Sequence, residues 1–360
     1  MTSLVPVSPS SQFKNITADI MQIEIIRNVA EWAALAREWN ALLEGSHLRV
    51  PFLTYEFQRA WWDHLGGGEW DNAELNILVG RDADGKAIGI APLFRVKNDE
   101  GEWVLHFIGT HEISDFLDFI VRPQNHAMFL QAVIEALSSD TSWNRLDLFN
   151  LLDTSQTTEV LSSLTVETDW DFKVETLQSS PYIPVPSTFD NYIASLDSKQ
   201  AHELRRKMRR AAKNPVTIST EIVRDQKLLE DALQDFFRLM CQEADKDRFL
   251  TQSMRAQMQA LAQAGSEAGW LQLFFLKAGN KRIAGYLNFD FDSCVWAYNA
   301  GFDNDYAELS PGWLIMAEMM RWCIDHGRKI FDFMRGGEEY KYRFGGTDRF
   351  VQRVTITRFS

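Results

Sequence analysis

The same succession of secondary-structure patterns runs through this chain twice, and that repetition constrains the fold more than any single motif. In the first half, a strand-like Met21–Ile26 precedes two amphipathic helical patterns, Ala30–Leu43 and Tyr55–Leu65. A hairpin follows, Leu75–Val79 and Ala87–Val96 joined across Asp84-Gly85, a pair that suits a tight turn between apolar runs. Strand patterns at Trp103–Ile108, Phe116–Val121 and Leu146–Leu151, with a helix at Ala127–Leu137, complete the unit. The second half places helices at Asn191–Leu196, Lys199–Lys213, Leu228–Ala244 and Ser253–Ala264 ahead of a hairpin, Leu271–Lys277 with Ile283–Phe291. A strand at Val295–Phe302, a helix at Pro311–His326 and a strand at Lys329–Met334 then follow. Letters echo as well. Gly85-Lys86-Ala87-Ile88-Gly89 resembles Asn280-Lys281-Arg282-Ile283-Ala284-Gly285, and Asn144–Phe149 resembles Arg328–Phe333. Two α+β lobes built on one plan are expected.

A chain of 360 residues exceeds what one core ordinarily organises. The division falls at Ser179–Pro186, where three prolines hold the backbone extended. The expected units are a flexible tail over 1–18, a first lobe over 19–180 and a second over 181–360. The tail is rich in Ser, Thr and Pro and lacks the apolar centre of a secretion signal. No apolar run reaches the length of a membrane span. Three scattered cysteines, Cys241, Cys294 and Cys323, offer neither a disulfide framework nor metal-ligand spacing. A cytoplasmic protein is expected. The formal net charge of −13 argues against a DNA binder, which needs a basic face.

Four segments carry the candidate chemistry. Ser310-Pro311-Gly312 follows a strand and opens a helix, with Ser310 as N-cap and Pro311 in the first turn. The backbone N–H groups of Gly312, Trp313 and Leu314 would then face a phosphate at the positive end of the helix. The run Phe331–Gly346 ends a strand at a Gly pair and continues into a turn carrying Glu338, Tyr340, Lys341 and Phe344. Arg335 stands at the carboxyl end of that strand, where open sheets bind ligands. Residues Lys199 to Lys213 hold seven cations and one carboxylate. On a helix Arg205 and Arg209 share a face, suited to phosphates or a carboxylate-bearing substrate. Asp115 begins a strand in the first lobe and is placed to meet an amine or hydroxyl. Tyr55 is read as cleft wall.

Several chemistries are absent from the sequence. There is no dinucleotide fingerprint, no phosphate-binding P-loop, no nucleophile elbow and no zinc-protease helix. The seven histidines do not cluster along the chain, and no metal is expected.

With these residues in view, the chain resembles the BioF2-like, CelD-type acyltransferase family of the GNAT superfamily, relatives of the FemABX peptidyltransferases. The resemblance spans roughly Trp32 to Arg353. It rests on the basic helix, Ile283-Ala284-Gly285-Tyr286, Ser310-Pro311-Gly312, and Phe331-Asp332-Phe333 leading to Tyr340-Lys341 and Phe344-Gly345. It implies tandem GNAT-like lobes, each a mixed, mainly antiparallel sheet flanked by helices. It also implies an acyl donor on the C-terminal lobe and an acceptor in the cleft between lobes. FemABX relatives carry a lysine in a Phe-Lys-x-x-Phe-Gly pattern that is thought to stabilise charge during transfer. Tyr340-Lys341-Tyr342-Arg343-Phe344-Gly345 matches it with Tyr for Phe, which makes Lys341 the leading catalytic residue.

The function this implies is transfer of an acyl group from a thioester, acyl-CoA, to an amine or hydroxyl of a sugar, sugar-nucleotide or polysaccharide precursor. The Ser310 helix start would hold the pyrophosphate. Backbone N–H groups beside Val295–Phe302, at Tyr298 and Asn299, would hold the thioester carbonyl. Asp332, Glu338 and Asp115 are the candidate bases, and Tyr340, Tyr55, Arg205 and Arg209 the acceptor contacts. Two other readings stay open. The basic helix suits an aminoacyl-tRNA-dependent transferase, although the long coiled-coil arm of such enzymes has no counterpart in the heptad pattern here. The absence of the usual Gly-rich pyrophosphate loop suits a non-catalytic module of polysaccharide synthesis.

Overall fold

The computed structural model describes residues 21–166 and 168–358; the expected tail over 1–18 lies outside them. Three sheets form the frame. In the first lobe, the hairpin runs continue from one sheet into another. The outgoing run divides at Asn76 into Glu74–Leu75 and Ile77–Arg81, and the returning run divides at Pro92 into Ala87–Ala91 and Leu93–Lys97. Proline supplies no N–H to a ladder, so pairing changes partner there. One sheet orders Gln22–Ile26, Ile77–Arg81, Ala87–Ala91 and Ile120–Val121. The other orders Glu74–Leu75, Leu93–Lys97, Trp103–Phe107, Arg145–Leu152, Phe350–Arg358 and Trp170–Ser179.

The second lobe is a six-stranded sheet in the order Tyr182–Pro184, Ile330–Asp332, Cys294–Phe302, Lys281–Phe291, Leu271–Ala278, Ile218–Val223. Only the Cys294–Phe302 and Ile330–Asp332 neighbours run parallel. The expected mixed, mainly antiparallel sheets flanked by helices are therefore present in both lobes.

One strand crosses between the lobes, so a cut at 180/181 does not separate the sheets. Phe350–Arg358, placed by sequence in the second lobe, pairs with both Arg145–Leu152 and Trp170–Ser179 in the first. Val351, Val354 and Ile356 are fully buried there, and Arg353 grips Asp147 through two 2.7 Å bonds. Burial of those three side chains, at roughly 1.5–3 kcal/mol each, ties the end of the chain to the first lobe.

Four local expectations change. The helix over 30–43 is two, Val29–Ala34 and Ala36–Leu43, meeting at Leu35. The helix over 228–244 stops at Met240, and a separate turn covers Ala244–Phe249. Of the strand over 116–121 only Ile120–Val121 pairs; before it the Leu117 N–H donates to the Asn150 carbonyl and the Asp118 carboxylate accepts from Ser155 and Thr157. The strands Trp170–Ser179, Ile218–Val223 and Phe350–Arg358 were not read from sequence, because their alternation is weak and charged residues interrupt it.

Aromatic rings join the lobes. Phe52 packs edge-on against Phe289 and Trp296, Phe116 lies 5.7 Å from Trp296, and Phe57 lies 5.9 Å from Phe289. All four Phe are fully buried, so hinge motion between the lobes would expose them to water. Among the described residues no helix is long and apolar enough to cross a membrane.

Candidate active site

The parallel strands Cys294–Phe302 and Ile330–Asp332 pair only as far as Trp296 and Asp332. Beyond that point they separate. Met334 takes a left-handed conformation (φ 66°), a costly state for a side chain with a Cβ, and turns the chain away. The edge of 297–302 facing the gap thus has no strand beside it. On its other edge the register slips, with Asn288 opposite Ala297 and Leu287 opposite Asn299. Tyr298 is the extra residue of this bulge, and a bulge leaves backbone groups unpaired and re-aims a side chain. The Tyr298 hydroxyl donates to the Ile113 carbonyl of the first lobe at 2.9 Å. Burial pushes its pKa far up, so it stays a neutral donor.

The gap opens into a cleft of about 360 Å³ lined by Tyr298, Asn299 and Arg335 from the second lobe, Glu112, Asp115 and Gln178 from the first, and Asp245, Lys246 and Phe249 from the Ala244–Phe249 turn. Four predicted residues therefore meet: Asp115, Tyr298, Asn299 and Arg335. Arg335 is the clasp. Its Nε donates to Asp115 at 2.9 Å and its backbone N–H to the same carboxylate at 3.0 Å. Its Nη1 donates to the Asn150 side chain at 2.9 Å and its Nη2 to the Glu112 carbonyl. An arginine fork satisfied on all sides holds geometry rather than moving charge. Asp115, expected as a candidate base, has both carboxylate oxygens on Arg335.

Lys341 is buried, although it sits on the short surface helix Glu339–Arg343. Its ammonium donates to three consecutive carbonyls, Met334 at 3.1 Å, Arg335 at 2.6 Å and Gly336 at 3.0 Å, and pairs with Glu338 at 2.9 Å. All three hydrogens are thus committed to the loop that carries Arg335. These bonds shape the strand end at Arg335, and Glu338 pairs with the ammonium from the exposed side.

Asp332 lies beneath the loop, fully buried, accepting from the Met334 N–H at 2.8 Å and paired with Arg349. Burial raises its pKa to about 6 against the opposing pull of Arg349. It lies outside the residues that line the cleft. Tyr340 is partly exposed, with its ring 6.1 Å from Phe333, also outside the lining.

The helix start differs from expectation. Ser310 is left-handed (φ 56°) and makes no side-chain cap. Its carbonyl accepts the N–H groups of both Trp313 and Leu314, and its hydroxyl accepts from Lys207 at 2.7 Å. Gly312 keeps the first-turn N–H without a backbone acceptor among the described residues. Lys207, which lies 5.2 Å above the Trp313 ring and 3.3 Å from Glu203, supplies a cation the sequence reading passed over. Trp313 in turn packs on Phe344 at 4.8 Å, joining this helix to the Lys341 turn.

Tyr55 packs edge-on against Trp32 and Trp39 in the first lobe and does not reach the cleft. Arg205 and Arg209 are exposed on Ser198–Ala212, apart from the cleft lining. The main omission is Asn150, fully buried, whose amide donates to the carbonyls of His111 and Ser114 at 2.8 Å each while its oxygen accepts from Arg335. An Asn inside the apolar run Leu148–Leu152 was the signal for it. Two of the seven histidines do meet in space: His47 and His126 lie 4.6 Å apart by ring centroid, beside Asp118.

Residues 198–342 match the family described as acetyltransferase (GNAT) domain. The whole fold of the chain, tandem lobes included, is similar to that of FemX, with a TM-score of 0.64, 13% identity, and 91% of this chain and 96% of that one covered. It is also similar to a conserved protein of unknown function from Bacteroides thetaiotaomicron (TM-score 0.59, 13% identity, 93% and 100% covered). L-PGS from Bacillus licheniformis shares the fold at a TM-score of 0.52 and 10% identity, with 90% and 91% covered. No curated protein sequence matches the chain. The GNAT match over 198–342 and the fold shared with these neighbours agree with the expected GNAT-like lobes.

Proposed function

We propose that the protein is a cytoplasmic acyltransferase that moves an acyl group from acyl-CoA to an amine or hydroxyl of a sugar, sugar-nucleotide or polysaccharide precursor. The observation that carries this reading is the gap between Cys294–Phe302 and Ile330–Asp332, with the Tyr298 bulge at its mouth and the inter-lobe cleft beyond it. A thioester laid in the gap brings its carbonyl to the unpaired edge of 297–302. Backbone N–H groups there would hold the oxyanion as the acceptor attacks and the C–S bond breaks. The Gly312 N–H and Lys207, which meets Ser310 at the helix start, would hold the donor's phosphates. Asn299, Gln178 and Glu112 are the polar groups for an acceptor, which the aromatic faces of Tyr298 and Phe249 would flank. Holding both partners in one cleft removes much of the entropy barrier.

A second reading is aminoacyl transfer from tRNA. The likeness to FemX and the exposed Arg205 and Arg209 favour it.

The test is release of free CoA thiol from acetyl-CoA in the presence of amino sugars and sugar nucleotides, alongside transfer from aminoacyl-tRNA with and without ribonuclease. Arg335→Ala should lower turnover at least tenfold, because the loop it clasps borders the cleft. Absence of CoA release together with ribonuclease-sensitive transfer would replace the first reading with the second.

A further inference from the structure

A polar cluster in the first lobe stands outside the cleft. His47 leaves the loop after Ala36–Leu43, Asp118 lies in the extended segment before Ile120–Val121, and His126 opens the helix His126–Ser139. One ligand atom from each lies within 4.8 Å of the others. His47 Nε2 faces Asp118 Oδ2 at 3.0 Å, and its Nδ1 faces the Val121 carbonyl at 3.2 Å. Both ring nitrogens thus point at acceptors. Such a ring must carry two protons or hold a cation at Nε2.

The surroundings resemble the outer shell of a metal site. The Val121 carbonyl fixes His47 with Nδ1–H outward and Nε2 inward. Asp118 accepts from the hydroxyls of Ser155 and Thr157 at 2.6 Å each and from the Phe119 N–H at 2.8 Å. Thr157, having given its proton to Asp118, accepts from His126 Nε2 at 2.9 Å. Outer partners of this kind orient metal ligands and set their tautomers. Metal–ligand bonds of 2.0–2.1 Å place tetrahedral ligand atoms about 3.3–3.5 Å apart, between the 3.0 Å and 4.8 Å separations seen here. Asp118 and His126 are buried and the His47 side chain keeps 15% exposure, which leaves one route in from solvent.

We propose that His47, Asp118 and His126 form a binding site for one divalent first-row transition-metal ion, zinc being the class that two imidazoles and a carboxylate suit best. The ion would lock the loop at 47, the segment at 118 and the helix start at 126 together. Asp118 is three residues from Asp115, so the same ion would steady the segment that meets Arg335.

The test uses the full chain. Metal content is measured after purification. Zinc binding to the stripped protein is then followed by competition with a chromophoric chelator, and cobalt(II) binding by its visible bands. Expected are about one zinc per chain, a higher melting temperature with zinc than with EDTA, and visible cobalt bands from a protein-bound site. His126→Ala should weaken zinc binding at least 100-fold, and His47→Gln likewise. Wild-type protein that binds neither ion stoichiometrically at micromolar concentration would overturn the proposal, and needs no variant to fold. Zinc binding that survives unchanged in both variants would overturn it too, by assigning the ion to another surface.

Discussion

Replacing Lys341 with methionine keeps the stem and removes the ammonium, and the structure sets the size of the effect. Three charge-assisted bonds, to the carbonyls of Met334, Arg335 and Gly336, are worth roughly 1.5–3 kcal/mol each. Taken together they give an upper figure of about 5–9 kcal/mol. The carbonyl region of Arg335 and Gly336 is only half-buried, so water can replace the lysine there, and the buried Met334 carbonyl is left stranded. A net loss of about 3–5 kcal/mol follows, in the range measured when one partner of a buried charged contact is removed. The left-handed Met334 and the φ of 107° at Gly336 would relax, and Arg335 would lose its aim at Asp115 and Asn150. Urea unfolding at neutral pH measures the first effect, and turnover per folded molecule the second. Stability within about 0.5 kcal/mol of wild type, with turnover abolished, would refute the clip and return Lys341 to direct contact with the reacting groups; surface changes typically stay within that margin.

Two further predictions concern stability. Asp332 has its pKa raised from 3.8 to about 6 by burial, so between those values the folded state holds a proton that the unfolded state has lost. Its contribution is therefore complete below pH 3.8 and is lost as pH rises through about 6; two units correspond to about 3 kcal/mol. The difference in unfolding free energy between wild type and Asp332→Asn, measured from pH 3.5 to 7, should fall by about that amount as pH rises, on top of a constant offset from unpaired Arg349. A flat difference would sink the assignment. Ile356→Ala, in the exchanged strand, should cost about 2–5 kcal/mol. It should also speed amide exchange in Arg145–Leu152 and Trp170–Ser179 before it affects Leu271–Ala278; faster exchange in the second lobe first would contradict the strand exchange.

The lobe plan was legible because hairpins, helix periods and proline punctuation are local, and both halves write them in similar letters. The segments that matter were legible for the same reason. The Ser310 helix start, the Arg335 loop and the Asp115 segment all flank the strand exits where the site forms. Their roles were not legible. Whether an ammonium meets a substrate or three carbonyls depends on where the Glu339–Arg343 turn lands, and the sequence around Lys341 reads alike in both cases. Asn150 and Lys207 act on partners 36 to 185 residues away, beyond any motif window.

By itself, then, the sequence determined two α+β lobes, their order of elements and the family they resemble, since periodicity and turn chemistry act over a few residues. Tertiary structure alone decided that the strand Phe350–Arg358 belongs to the first lobe and that the parallel pair parts after Trp296. It also decided that Asp115 and Arg335 clasp each other and that His47 and His126, far apart in the chain, meet beside Asp118. These outcomes depend on edge pairing and on burying charge against a partner, and such partners are found only when distant parts of the chain close on one another.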